Sequence, residues 1–191
     1  RMYPDFVALD FKGDFQPLLE RPVIVHDPRD ARLAKPGQVI FRPSPEYRSR
    51  RWLEYFFARL IARAQRRRPF VVYVDEGLTL GHLRAVSNLA ILTSIGRSLN
   101  CGVWLGSQRL AWIPVELRTE AWRWWIFYLA DPEDEKLVLR HAKGQLTLEE
   151  LRAHAHTFRF FELRRGAESG GQLRVTAFGK VKRTHSQASR R

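Results

Sequence analysis

Short apolar runs separated by helix-like stretches dominate most of this chain. The runs predict strands over residues 5–11, 22–27, 38–43, 70–74 and 102–108. The run at 70–74, "FVVYV", is continuous rather than alternating, which is typical of a central strand covered on both faces. The pattern therefore predicts an α/β fold with a mostly parallel central sheet flanked by helices.

The clearest helix is predicted over residues 45–68. One face is apolar at helical spacing, with Trp52, Leu53, Phe56, Phe57, Leu60, Ile61 and Ala64. The other side is expected to carry Arg48, Arg51, Arg59, Arg63 and Arg66. A second helical stretch, "LRAVSNLAILTSIGRSLN", separates the strands at 70–74 and 102–108.

The C-terminal part has a different pattern. A strand is predicted over 124–130, and a helix follows, capped by Asp131 with Pro132 in its first position. A capping box, Thr147 with Glu150, predicts a further helix. Two apolar runs on either side of "GAESGG" predict a β-hairpin. We predict one core over residues 1–178 and a basic, mobile tail over 179–191.

Composition narrows the class of protein. At 191 residues with 45% hydrophobic residues, the chain is long enough for one sizeable core. The single cysteine, Cys101, excludes an internal disulfide and is expected to be a buried, inert thiol. No run of 18 or more apolar residues occurs, so the sequence predicts no membrane span. The single cysteine points to a reducing compartment, and we expect a cytoplasmic location.

The net charge of +13 indicates a polyanionic partner. The alternative is a composition that simply favours arginine. A grip on DNA phosphates would use sequence-independent positive charge. The candidates for DNA contact are the arginines of helix 45–68, Arg164–Arg165 in the hairpin, and the tail residues Lys180, Lys182, Arg183, Arg190 and Arg191.

Two adjacent acids, Asp75 and Glu76, follow the continuous strand, and Gln108 ends the next one. Ligands bind at the carboxyl ends of parallel strands, so these side chains are expected at one edge of the sheet. There an aspartate can hold the water shell of Mg²⁺, and a glutamate can orient or deprotonate an attacking water. The alternative is that the acid pair lies in a solvated turn.

The linked set of motifs resembles the FtsK–HerA superfamily of P-loop ATPases, over roughly residues 5–140. "VALDFKGDF" is similar to the family's strand ending in Asp-x-Lys-Gly, and "FVVYVDEG" to its Walker B strand. "IGRSLNCGVWLGSQRLAWIP" is similar to the stretch that ends in the family's sensor glutamine. The resemblance implies a RecA-like P-loop NTPase fold.

The resemblance also implies roles for particular residues. Asp75 would hold Mg²⁺ through water, Glu76 would be catalytic, and Gln108 would be the sensor of ATP. Asp10 and Lys12 would belong to the nucleotide site. Members of the family act as hexameric rings in which an arginine reaches the neighbour's nucleotide. Arg97 and Arg109 are the candidates here, with Arg97 preferred.

The chain departs from the family in one motif, because no G-x-x-x-x-G-K-[ST] occurs in it. That motif cradles the phosphates, so the acid pair has little to act on without it. One explanation places the motif in residues that precede Arg1, which a start directly into "DFVALDF" favours. The other is a degenerate member that binds DNA or a partner without hydrolysis.

The leading functional hypothesis is an ATP-driven double-stranded DNA translocase, a viral genome-packaging ATPase that works as a ring. Such a motor would meet a capsid or portal partner in the host cytoplasm or at a virion vertex. One alternative is a non-catalytic DNA-binding or assembly subunit on a degenerate P-loop fold. Another is a filamentous-phage-type assembly ATPase, although such proteins usually carry a membrane segment.

Overall fold

The structure is a computed structural model that describes residues 5–15, 22–66, 68–153, 160–165 and 173–178. The chain divides into two compact units, Arg1–Ala121 and Trp122–Arg191. The elements of the first unit are β1 (Phe6–Leu9), β2 (Val23–Val25), β3 (Gln38–Phe41), α1 (Arg50–Ala64), β4 (Phe70–Val74), α2 (Gly77–Leu83), α3 (Ser87–Gly96), β5 (Cys101–Leu105) and α4 (Val115–Glu120). Those of the second are β6 (Arg123–Ile126), α5 (Pro132–Ala142), α6 (Leu148–Ala153), β7 (Phe160–Arg165) and β8 (Leu173–Phe178).

The first unit is built on a five-stranded sheet in the order β2-β3-β1-β4-β5, and every pairing is parallel. Parallel neighbours need crossover connections. Helix α1 joins β3 to β4, and α2 with α3 joins β4 to β5. The predicted parallel sheet with flanking helices is therefore confirmed, and all five strands end at the same edge.

Helix α1 supplies much of the core under this sheet. Its residues Leu53, Phe56 and Phe57 are fully buried, and the Phe56 ring stacks on Phe41 of β3 with 4.5 Å between ring centroids. Burying each such side chain stabilises the fold by roughly 1.5–3 kcal/mol. The helix therefore holds the sheet from one face, which fixes where the strand ends lie.

The structure corrects several predicted boundaries. The helix predicted over 45–68 begins only at Arg50, because a separate 3₁₀ turn spans Pro45–Tyr47. Strand β5 ends at Leu105 rather than 108, and β6 ends at Ile126 rather than 130. Apolar residues continue past the end of β6, so composition alone overestimated its length.

One residue of the predicted polar face of α1 is not on the surface. Arg63 is buried, and its guanidinium donates to the Asp5 carboxylate at 2.6 Å. The expectation that Arg63 projects onto the solvated side is therefore wrong. A buried arginine is tolerated because an acid on another element pairs with it.

The second unit contains an antiparallel sheet in the order β6-β7-β8. The β7–β8 pairing confirms the predicted hairpin strands, while their loop at 166–172 lies outside the described residues. Both predicted helix caps are present. Asp131 accepts from the Glu133 N–H at 2.9 Å, and the Glu150 N–H donates to the Thr147 hydroxyl at 3.2 Å.

Three further expectations concern the single cysteine, membrane spans and the chain end. Cys101 is buried, and burial raises the pKa of its thiol to about 12, which makes it unreactive near neutrality. Within the described ranges, none of the helices is long and apolar enough to cross a membrane. The predicted tail over 179–191, with its candidate DNA-contact residues, lies outside the described residues.

Candidate active site

Polar residues follow each central strand of the parallel sheet directly. Asp10, Asp75 and Gly106 directly follow β1, β4 and β5. Each donates its backbone N–H to the carbonyl of the last residue in the neighbouring strand of the sheet, at 3.0, 3.0 and 2.9 Å respectively. The parallel register carries this row across four strands. In spatial order the row reads Arg42, Asp10, Asp75 and Gly106.

Asp10, after β1, is fully buried and well provided with hydrogen-bond donors. Arg42 donates to its carboxylate from Nη2 at 2.8 Å and from Nε at 3.2 Å. The backbone N–H groups of Lys12 and Gly13 add bonds at 3.1 and 2.7 Å. Burial alone would raise the pKa of Asp10, but the bonds from Arg42 and the backbone outweigh it and lower the pKa. Asp10 therefore fixes the loop that carries Lys12.

Asp75, after β4, has a poorer environment. Its carboxylate accepts a long bond, 3.4 Å, from the Tyr73 hydroxyl. Burial raises the pKa of Asp75, and the neighbouring charge of Glu76 raises it further. The same burial and the nearby acid raise the pKa of Tyr73 to about 12, so Tyr73 stays a donor. A cation beside Asp75 would relieve both unfavourable effects.

Glu76 turns the chain from β4 into α2. Its backbone is left-handed, with φ 60°, which is uncommon for a residue other than glycine and costs on the order of 1–3 kcal/mol. Its carboxylate pairs with the ammonium of Lys12. That hydrogen bond, followed by the charges of the nearby acids, raises the pKa of Lys12. Lys12 therefore holds the side chain of Glu76 in place over the sheet edge.

The backbone of Gly106 packs closely against Tyr73 and against Asp75 of the acid pair. A Cβ on Gly106 would lie 3.0 Å from the Tyr73 hydroxyl and 3.5 Å from Oδ1 of Asp75. The Gly77 N–H also donates to the Gly106 carbonyl at 2.8 Å, which ties the turn after β4 to the end of β5. A glycine at 106 therefore leaves room for Asp75 between two strands.

Gln108 and Arg109 lie in the loop just beyond Gly106. Gln108 is exposed, on the same edge of the sheet as the acid pair. The hydroxyl of Ser107 donates to the Arg109 carbonyl at 2.9 Å and accepts from its N–H at 3.3 Å. The Arg109 guanidinium stacks 4.7 Å from the ring centroid of Trp112. The loop is thus folded by its own contacts and carries Gln108 at its tip.

Arg97 lies at the other edge of the sheet. It is exposed in a 3₁₀ turn, Arg97–Leu99, that immediately precedes β5. A strand of five residues, roughly 16 Å long, separates the two ends of β5. Arg97 is therefore not brought together with Asp75, Glu76 and Gln108 within one chain.

The acid pair fits a hydrated magnesium ion better than a directly bound metal. Among the residues that the structure describes, no group of three or more His, Cys, Asp or Glu could hold a metal ion. Mg²⁺ keeps several waters and is commonly held by one or two carboxylates plus phosphates. Asp75 and Glu76 match that donor set, whereas the chain has no motif that would cradle the phosphates.

Sequence reasoning missed three residues of this site. Tyr73 could have been found, because residues two apart on a strand share a face and Tyr73 therefore points to the same side as Asp75. Arg42 follows β3 as Asp10 follows β1, but pairing them requires the strand order. The need for glycine at 106 depends on a contact between strands, which a single sequence does not display.

No protein-family model matches the chain, and no curated protein matches it. Solved structures do. The genome packaging NTPase B204 from Sulfolobus turreted icosahedral virus 2, in complex with AMPPCP, is 11% identical at a TM-score of 0.66, over 90% of this chain and 81% of that one. The same NTPase with ATP-gammaS is 10% identical at a TM-score of 0.67, over 90% and 80%.

A third structure gives the same result. B204, the DNA-packaging ATPase from Sulfolobus Turreted Icosahedral Virus, is 12% identical at a TM-score of 0.65, over 90% of this chain and 81% of that one. Identities this low establish a shared architecture rather than a shared activity. With its parallel sheet, flanking helices and C-terminal hairpin, the chain has the fold of a P-loop NTPase.

Proposed function

We propose that this chain is the core of an ATP-driven motor that moves double-stranded DNA, of the viral genome-packaging type. The observation that carries the proposal is the acid pair at the carboxyl end of β4, where Asp75 is half-buried beside the charge of Glu76 and Glu76 is paired with Lys12. The shared fold with packaging NTPases and the net charge of +13 support this choice among ATPases.

Each residue of the site has a different role in the proposed hydrolysis of ATP. Bound Mg²⁺–ATP supplies the phosphoanhydride bond that is hydrolysed. Asp75 would hold the water shell of the metal, and Glu76 would orient the attacking water and accept its proton. Gln108, in the loop after β5, would contact the γ-phosphate. Asp10 positions the loop of Lys12 through its bonds to that loop's backbone.

These 191 residues do not contain the phosphate-binding motif G-x-x-x-x-G-K-[ST]. We propose that a strand carrying this motif pairs with the edge of β5 that faces away from β4. Among the described strands, β5 pairs with β4 alone, and Val103 and Leu105 are half-buried. A strand carrying G-x-x-x-x-G-K-[ST] added along this edge would end beside Gly106. Its backbone amides would then face Asp75 across the end of β5.

A ring assembly accounts for the position of Arg97. At the opposite edge from the acid pair, it would reach another subunit's nucleotide rather than that of its own chain, as in a hexameric ring. Arg109, on the same edge as the acid pair, is the second candidate. The ring would enclose double-stranded DNA and meet a capsid or portal partner in the host cytoplasm or at a virion vertex.

Hydrolysis of ATP by the full-length gene product tests the proposal. Glu76→Gln and Asp75→Asn are each expected to lower kcat about 10²–10⁴-fold, since each removes a group that acts in the chemical step. Glu116→Gln, an exposed acid of α4, is the control and should leave kcat unchanged. Activity that survives both site variants would exclude this site.

The runner-up is a non-catalytic DNA-binding or assembly subunit. The observation that favours it is the absence of the phosphate-cradling motif from the 191 residues. Binding of a fluorescent ATP analogue separates the two functions. The motor binds it with Mg²⁺ and releases it slowly in Glu76→Gln, whereas the subunit binds DNA but no nucleotide.

A further inference from the structure

A basic cleft lies at the amino-terminal edge of the parallel sheet, the edge opposite the acid pair. It has a volume of 390 Å³ and is lined by Asp5, Ala34, Pro36, Arg63, Arg66 and Arg68. Its lining residues come from three places: just before β1, just before β3, and the described residues at and after the C-terminal end of α1. The length of β4, roughly 16 Å, separates it from Asp75. A ligand there is therefore not the nucleotide of the same subunit.

The inner wall of the cleft is rigid. Arg63 is 5% exposed, donates to the Asp5 carboxylate at 2.6 Å and to the Leu33 carbonyl at 3.1 Å, and stacks 4.7 Å from the ring centroid of Phe70. The same Asp5 oxygen accepts from the Gly37 N–H. Asp5 is therefore engaged by Arg63 and the backbone, and its charge is matched within the wall.

The outer wall carries two more positive charges. Arg66 and Arg68 are both exposed, and Arg66 uses one N–H of its guanidinium on the Ala34 carbonyl at 3.2 Å. A guanidinium has five N–H donors, so that contact leaves most of its donors available to a ligand. The acid that lines the cleft is already paired with Arg63, so the cleft has a net positive charge.

A purely structural role accounts for part of this arrangement. Basic residues near the end of a helix complement its dipole, and Arg63 and Arg66 donate to carbonyls of the neighbouring turn. That role does not require Arg68, nor a cavity lined by all three arginines. Planar guanidinium groups suit the bidentate binding of phosphate oxygens.

We propose that this cleft binds a backbone phosphate of double-stranded DNA, with Arg66 and Arg68 as donors and the Arg63–Asp5 pair as their rigid support. The choice of DNA as the source of the phosphate rests on the proposed function. A contact of this kind does not depend on base sequence, as a motor that moves along any DNA requires. It also lies at the opposite edge of the sheet from the acid pair, so a phosphate bound there does not compete with the nucleotide of the same subunit.

The test compares two variants that each remove two positive charges. One is Arg66→Gln/Arg68→Gln in the cleft, and the control is Lys136→Gln/Arg140→Gln at exposed positions of α5. Binding of a fluorescent 30-base-pair duplex is measured at several salt concentrations. All four residues are exposed, so both variants should fold, which thermal melting checks.

We expect the cleft variant to weaken duplex binding about 10–100-fold near 0.1 M salt and to reduce the log–log salt slope by about one to two. The control should lose less than about threefold. Equal losses in both variants, or none in the cleft variant, would overturn the proposal while leaving a DNA-binding motor intact. If the parent protein does not bind the duplex at all, both the cleft proposal and the DNA part of the proposed function are wrong.

A competition experiment distinguishes a DNA backbone phosphate from a small phosphate-containing anion as the ligand of the cleft. Inorganic phosphate and ATP without Mg²⁺ are titrated against the labelled duplex at constant ionic strength. A DNA-backbone site should be displaced weakly by either, at millimolar concentrations or above. Micromolar displacement that is lost in Arg66→Gln/Arg68→Gln would show a small-anion site instead and would overturn the assignment to DNA.

Discussion

Asp10 and Asp75 are the same residue type at the ends of neighbouring parallel strands, yet their surroundings differ. Asp10 is fully buried and bound by Arg42 and backbone N–H groups. Asp75 has the Tyr73 hydroxyl at 3.4 Å and a second acid beside it. Their pKa values consequently shift in opposite directions, down for Asp10 and up for Asp75.

This difference indicates that Asp10 is a structural carboxylate, whereas Asp75 is suited to binding a ligand. A buried charge that already has an arginine and several donors stabilises the fold and has little capacity left for a metal. A half-buried charge with few hydrogen-bond donors lowers the stability of the folded protein unless a cation binds beside it. Functional sites commonly keep such unfavourable groups at some cost in stability. By this criterion we propose Asp75, rather than Asp10, as the metal-associated residue.

The largest expected effect is the loss of Asp10. Asp10→Asn leaves Arg42 without its partner in a buried setting, which is expected to cost about 3–5 kcal/mol in the free energy of unfolding. For a chain of this size that lowers Tm by about 10 °C. Thermal melting at pH 7 measures it.

The matched control for this variant is Asp14→Asn, an exposed acid in the same loop. It removes the same charge and should change Tm by less than about 2 °C. If Asp10→Asn melts within about 2 °C of the parent protein, Asp10 is not the structural member of the pair.

The fold was largely predictable because it depends on local patterns. Apolar runs of four to six residues, the amphipathic stripe of α1 and the caps at Asp131 and Thr147 are all visible within short windows. Strand order is not, because it depends on contacts between distant segments. The antiparallel pairing of β6 with β7 was missed for that reason.

The site was predicted less completely. Strand ends and acid residues sufficed to propose that Asp75, Glu76 and Gln108 share an edge, and the structure places them there. The pairing of Lys12 with Glu76, and of Arg42 with Asp10, joins separate strands. The burial of Arg63 likewise follows from Asp5, which lies 58 positions away. Such charge pairs depend on register, which is not visible in one sequence.

The next effect has the opposite sign. Asp75→Asn removes a charge that burial and Glu76 make unfavourable, so Tm at pH 7 should rise by about 1–3 °C. Native Asp75 binds its proton at higher pH than the unfolded chain, whose value is 3.8. Its charge therefore lowers stability above the raised pKa, and this penalty disappears as the pH falls towards 3.8.

Melting curves from pH 7 down to pH 4 check that sign. The advantage of Asp75→Asn should be full at pH 7 and shrink towards zero at the acid end. Mg²⁺ supplies the complementary measurement, since it should raise the Tm of the parent protein more than that of the variant. An advantage that grows on acidification would mean that Asp75 is stabilised as the anion, like Asp10.

The smallest effect is a coupling between Lys12 and Asp75. The charge of Lys12 lowers the pKa of Asp75 and so offsets part of its unfavourable burial. In a Lys12→Met background, the gain in Tm from Asp75→Asn should therefore be larger, by about 1 °C. Lys12→Arg keeps the positive charge and should leave the gain as it is in the parent protein. Because Lys12 is exposed, its substitution alone should lower Tm by only about 1–2 °C, and the four-protein cycle separates its interaction with Asp75 from its other contacts. Strictly additive shifts would show that Lys12 acts on Glu76 alone and leaves Asp75 uncompensated.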